Sequence, residues 1–211
     1  MQRRERIEMP APNEVPTPSR KVQIANAALR ILAEAGPHRL TARELGAQVG
    51  IDNSTVFRHF ANKGEIIDAA LDEFEAVLEE TLPQSAPSLA ALKGFFTQRM
   101  ALVQRRPEVI RLAFNPGILA MAGQEAHAAR VRAIVGRSVE FIRSCLAAAQ
   151  SAGEVTAEVP AHALVWVVTG ILRGAVLGSE SPVAPELAWS YVHNLLRKPG
   201  AAGPESGGAP Q

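Results

Sequence analysis

Apolar residues recur along this chain at intervals of three and four, without the strict alternation that marks a half-buried strand. Val22, Ile24, Ala25, Ala28, Leu29 and Leu32 line one side of a helix predicted from about Ser19 to Ala35, and Gly36-Pro37 stops it. Three helix starts then crowd together. Thr41 precedes Glu44 by three positions, a capping box that opens a helix to about Val49; Gly50 supplies a tight turn, Asp52 caps a third helix, and Asn62 with Glu65 repeats the box. Longer helical patterns follow over Glu65 to Leu82, Pro87 to Arg106, a short stretch from Pro107, Gly123 to Ala152, Pro160 to Ser179 and Pro185 to Arg197. Proline or glycine bounds each of them at a place where a helix can start or end. The pattern predicts an all-α fold of about nine helices. Residues 1–18 hold four prolines and mixed charge, and 199–211 are rich in glycine and proline, so both ends read as disordered.

Composition narrows the class. The 211 residues are 47% apolar but only 5% aromatic, and the net charge is +1, so no global field points to nucleic acid or membrane. The distribution says more: residues 1–64 carry ten Lys/Arg against six Asp/Glu, whereas 65–81 carry seven acids and no base. That step reads as a boundary behind a basic module. The single cysteine, Cys145, excludes an intramolecular disulfide, and its apolar helical setting predicts a buried thiol in a reducing, cytoplasmic protein. No apolar leader opens the chain, and the apolar run Val159 to Leu172 is too short to span a bilayer, so no membrane association is expected.

Enzyme signatures are missing: no glycine-rich phosphate loop, no G-x-S-x-G, no H-E-x-x-H, no cysteine pair. The five histidines lack the spacing that sets two ligands on one helical face, so neither a metal site nor a cofactor is expected. The chain reads as a non-enzyme.

Two short helices joined by a glycine turn can set the second of them into the major groove of DNA. Over residues 51–60, Ile51, Val56 and Phe60 can face inward while Asn53, Ser54, Thr55, Arg58 and His59 project outward. Arg pairs with guanine and Asn with adenine when two bonds form together. Thr41, His59 and Lys63 are placed to meet phosphates, and Arg43 is a further DNA-binding candidate. A polar helix face alone is more often merely solvated; here turn, caps, spacing and basic surroundings agree.

The stretch LTARELGAQVGIDNSTVFRHFANKGEI resembles the DNA-binding signature of the TetR family of transcriptional regulators, T-x-x-x-I-A-x-x-A-G-V-S-x-G-T-L-Y-x-H-F-x-x-K-E-x-L. Thr41, Leu45, Gly50, Ile51, Thr55, Val56, His59, Phe60, Lys63 and Ile66 fall on it without a gap. Three positions depart: Ser54 stands for glycine, Phe57 for a tyrosine whose hydroxyl would reach a phosphate, and Gly64 for an acid. The resemblance implies a helix-turn-helix DNA-binding domain at 19–67 and a larger helical ligand-binding and dimerisation domain at 68–198. It implies a sequence-specific regulator, most simply a repressor, that binds a palindromic operator as a homodimer and leaves it when a small effector binds. The alternative weighed is a small-molecule-binding protein or enzyme whose helix-turn-helix serves a protein contact.

Two further features are expected in the larger part. Gly170, Gly174 and Gly178 stand four apart on one stripe, which lets another helix approach; with Trp189, Val192 and Leu196 of the last helix they predict a four-helix dimer interface. Phe74, Phe96, Met100, Phe114, Phe141 and Trp166, with Arg99, Arg111 and His127 embedded among them, are candidates for a pocket suited to a hydrophobic or weakly acidic molecule. Each apolar member has core packing as its default role.

Overall fold

A computed structural model describes residues 18–177 and 183–197. The two tails, Arg3, Arg4 and Arg6 within them, and Gly178 lie outside the described residues.

The described chain is all helical. Its elements are α1 (Arg20–Ala35), a one-turn 3₁₀ helix (Pro37–Arg39), α2 (Ala42–Val49), α3 (Asn53–His59), α4 (Lys63–Glu79), α5 (Leu89–Arg105), α6 (Pro107–Phe114), α7 (Gly117–Ala120), α8 (Glu125–Ser151), α9 (Ala161–Leu177) and α10 (Pro185–Leu196). The caps expected from sequence form. Thr41 Oγ1 accepts from Glu44 N at 3.1 Å, Asp52 Oδ1 from Thr55 N at 2.8 Å and Asn62 Oδ1 from Glu65 N at 3.0 Å. The boxes close differently. Glu65 Oε2 accepts from Ala61 N at 2.9 Å, whereas Glu44 turns toward Arg39, 3.7 Å away, and leaves its box half made. The two elements beyond the expected nine, α7 and the 3₁₀ turn, are single turns, too short for an apolar period to show.

Gly50 ends α2 at φ 72°, a left-handed conformation that L side chains rarely adopt, and this lets the chain reverse into α3. Gly46 has a steric role instead. Ile51 N donates to Gly46 O at 2.9 Å, and a Cβ on Gly46 would lie 2.5 Å from Ile51 O. The turn backbone therefore rests directly on α2. Gly46→Val is expected to cost about 2–3 kcal/mol, read as a lowered urea midpoint, because the displaced group is backbone and cannot swing away.

Two buried clusters organise the packing. One joins α1, α2, α3 and α4 to α6, α7 and the first half of α8, with Leu29, Leu45, Val56, Ile67, Phe74 and Val109 fully enclosed. The other joins α5, the second half of α8, α9 and α10 around Phe95, Phe96, Leu146 and Val168. The division expected between residues 67 and 68 thus falls inside α4 and inside one continuous cluster. Arg106 adds a polar tie between α1 and α6, donating from Nη2 to Asn26 Oδ1 at 2.7 Å and from Nε to Glu108 at 2.6 Å.

The last helix corrects the interface expectation. Trp189, Val192 and Leu196 are buried in the chain's own second cluster, and the Trp189 ring meets that of Phe96 at 5.7 Å. They are therefore unavailable to a partner. The opposite side of α10, Leu187, Tyr191 and Leu195, is exposed instead. An amphipathic sequence shows two stripes here, and only the partner helix α5 decides which is inside.

Candidate nucleic-acid interface and effector cavity

Helix α3 has a clear inside and outside. Val56 and Phe60 are buried, and at 3.6 residues per turn Arg58 lies nearly opposite them, at the crest with Ser54. Asn53 and Phe57 form one flank, Thr55 and His59 the other. Phe57 is 60% exposed, a large apolar ring held out to solvent. Asn53, Arg58, His59 and, on α2, Arg43 make no hydrogen bond or ion pair among the described residues, so their donors are free.

Four other expected contacts are partly committed within the chain. Ser54 Oγ donates to Asp52 Oδ1 at 2.6 Å and Thr55 Oγ1 to Asp52 Oδ2 at 3.3 Å, so both hydroxyls offer lone pairs outward rather than protons. The hydrogen bond from the Ser54 hydroxyl, then that from Thr55 N, holds the Asp52 carboxyl below its ordinary range. Thr41 only accepts in its cap, and its hydroxyl proton remains free to donate. Lys63 Nζ donates to the Pro37 carbonyl, tying the start of α4 to the 3₁₀ turn. Its first role in the isolated chain is to fix the head, with two N–H groups remaining.

The acidic run at 65–81, read from sequence as a boundary, is a contact. Along α4 and α8, Arg130 Nη2 meets Asp72 at 2.6 Å and Glu75 at 3.1 Å, and Arg137 Nη2 meets Glu75 at 2.6 Å and Glu79 at 2.7 Å. The partners stand some sixty positions apart, beyond any local charge pattern. Hydrogen bonds from Arg137 first and Arg130 second lower the Glu75 pKa from its ordinary 4.5. A carboxylate depressed in the folded state stabilises above its unfolded pKa and loses that contribution as pH falls through the folded value. The unfolding midpoints of the native chain and of Glu75→Gln are accordingly expected to differ at pH 7 and to converge as pH falls from the ordinary 4.5 through the lowered folded value.

Of the proposed pocket residues, Arg99 and Phe114 line one cavity of the body. It has a volume of about 60 Å³ and lies among α4, α5, α6, α8 and α9, with Leu78, Phe95, Ile110, Ser138 and Thr169 in its wall. Phe74 is enclosed in the first cluster, and Phe96 and Met100 in the second. Arg111 is at the surface, 3.7 Å from Glu34. His127 is held by Gln124 at 2.9 Å and faces Asp68 at 3.3 Å. Phe141 supports the cavity from behind, its ring 5.6 Å from that of Phe95. Trp166 is 79% exposed and is not part of this cavity's wall. The apolar period gave helix faces but could not say which neighbour each face meets.

Trp166 instead begins an outward stripe on α9 that continues through Gly170 and Gly174, both exposed, with open space where a Cβ would stand. With Leu187, Tyr191 and Leu195 of α10, it leaves large apolar side chains uncovered.

A capped helix-turn-helix packed on a larger helical body with an internal cavity is the class of molecule these elements define. Residues 24–74 match the family model of bacterial regulatory proteins, tetR family. Over 65 residues the chain is 34% identical to an HTH-type transcriptional repressor of Mycobacterium tuberculosis, a stretch that is 31% of this chain and 35% of that one. The chain therefore spans about a third of that relative's length. The fold is similar to that of the ketosteroid transcriptional regulator KstR2 of Mycobacterium tuberculosis, with a TM-score of 0.69 at 17% identity over 87% of this chain and 97% of that one. It is also similar to AibR in complex with isovaleryl coenzyme A and operator DNA, with a TM-score of 0.69 at 17% identity over 84% and 98%. Residues 24–74 thus match the DNA-binding part of that family, and the described chain shares the fold of these regulators.

Proposed function

We propose that the chain is a sequence-specific DNA-binding transcriptional regulator, a repressor that a small apolar or weakly acidic effector releases from a palindromic operator. The observation that carries this reading is α3: an exposed helix, fixed by its cap and by the Gly50 turn, whose Asn53, Arg58 and His59 side-chain donors have no partner among the described residues. Its counterpart in a homodimer, formed across the uncovered α9 and α10 stripes, would meet a second half-site in a neighbouring stretch of major groove. The relatives named as transcriptional regulators, and AibR with its operator, support the assignment.

The release mechanism follows from α4. Its first residue, Lys63, adjoins the head, and Leu78 near its other end lines the cavity. At about 60 Å³ the cavity is well below the several hundred Å³ of a drug-sized site. An effector must therefore widen the bundle, displacing Leu78 and, through the rigid helix, the head. Release requires that the effector bind the widened form more tightly than the closed one.

Fluorescence anisotropy with operator DNA tests the assignment. Arg58→Ala is expected to weaken specific binding by about 1–3 kcal/mol, roughly tenfold to a hundredfold, if its guanidinium reads a base edge. Affinity should also fall steeply as salt rises. Salt-independent binding, untouched by Arg58→Ala, would indicate a protein contact instead.

A further inference from the structure

The cavity wall holds a group that no apolar ligand explains. Arg99 is only 3% exposed, yet no carboxylate stands within ion-pair distance of it among the described residues. Its Nη2 donates to the Leu78 carbonyl at 3.1 Å and to Ser138 Oγ at 3.2 Å, its guanidinium lies over the Phe95 ring at 4.9 Å, and its Nε is buried with no acceptor. Buried cations are ordinarily paired, and buried N–H groups ordinarily bonded. Burial lowers the Arg99 pKa to about 10, with Glu79 opposing from a distance, so the group remains charged at neutral pH. A desolvated positive charge thus stands at an apolar cavity, and the described residues place no anion within ion-pair reach of it.

Resting on the regulator reading, we propose that this cavity is a site for a small monocarboxylate with an apolar body, whose carboxylate completes the hydrogen bonding of Arg99. The Ser138 hydroxyl accepts from Arg99 and keeps its own proton to donate to the anion, while the Thr169 hydroxyl is already given to the Val165 carbonyl. Ile110, Phe114 and Leu172 offer the ligand body an apolar wall. Outside, the Arg173 guanidinium lies 5.9 Å from the Phe114 ring, a second cation that attracts acids toward this wall. A neutral ligand of the same shape gains the apolar contact but leaves Arg99 unanswered. A ligand with several charges would bury the surplus without partners.

The test uses the full chain without DNA, by calorimetry and thermal shift. The probes are straight-chain carboxylates from acetate to octanoate, with benzoate and phenylacetate, each beside its uncharged amide. At least one acid is expected to bind tenfold or more tightly than its amide. In Arg99→Met, a substitution of similar length that removes the unpaired charge, that preference should vanish while helicity and melting temperature are kept or raised. Arg99→Lys should retain part of it. No acid preferred over its amide, or a preference unchanged in Arg99→Met, would overturn the site. Acids that bind through Arg99 but leave operator affinity unchanged would preserve the site and remove the regulatory reading, so the two can fail separately.

Discussion

Phe74→Ala is expected to lower folding stability by about 3–5 kcal/mol, the largest effect of any single truncation considered. The ring is fully buried at the middle of α4, in the cluster that α1, α4, α6 and α8 share. Its removal leaves a void that a helix pinned by arginine pairs along one side, and by Lys63 at its start, is poorly placed to close. Natural domains are stable by only about 5–15 kcal/mol, so this change consumes a large share. Urea denaturation followed by circular dichroism measures it. A loss below about 1 kcal/mol would mean that the cluster relaxes around the gap and that α4 is not the rigid link between head and cavity.

The second large effect concerns assembly. Trp166→Glu combined with Leu195→Glu changes side chains that are 79% and 63% exposed within one chain, so the fold should survive. Truncating a central interface tryptophan typically costs about 2–4 kcal/mol of association, and two new charges add desolvation to that. The doubly substituted chain is expected to sediment as a monomer and to lose at least a hundredfold in operator affinity, since one head alone addresses one half-site. Trp189→Ala serves as the contrast. Buried against Phe96, it should cost folding stability first. Unchanged sedimentation in the double variant would place the partner contact elsewhere.

Much of the head was legible because its determinants are local. Thr41, Asp52 and Asn62 each cap through a residue three positions on, and Gly50 needs only its own φ. Periodicity placed Val56 and Phe60 inward and Arg58 outward because a short helix against one neighbour has one buried side. Gly46 escaped notice: its role depends on Ile51 O folding back onto α2, which no pattern of polar and apolar positions reports.

The body was legible as helices and not as contacts. Helix α10 is apolar on two sides, and Trp189 was set in the interface while Tyr191 and Leu195 face outward. Aromatic residues suggested a pocket, but Phe74, Phe96 and Met100 are core, and the cavity wall draws on five separate helices. Charge told the same story. Seven acids after Gly64 suggested a boundary, and their partners Arg130 and Arg137 come from α8, far along the chain. Arg99 was named among the embedded polar residues, but its lack of a counter-ion is a three-dimensional fact.

Helix α3 is proposed to read a DNA sequence. The most direct test is selection of bound fragments from the fragmented genome that encodes the chain, at about 0.15 M salt, with Arg58→Ala carried in parallel. A repeated, near-palindromic motif, with half-sites about one helical turn apart or a multiple of it, enriched by the native chain and lost with Arg58→Ala, is the predicted result. Fragments recovered by both proteins in the proportions of the input, with no shared motif, would contradict it.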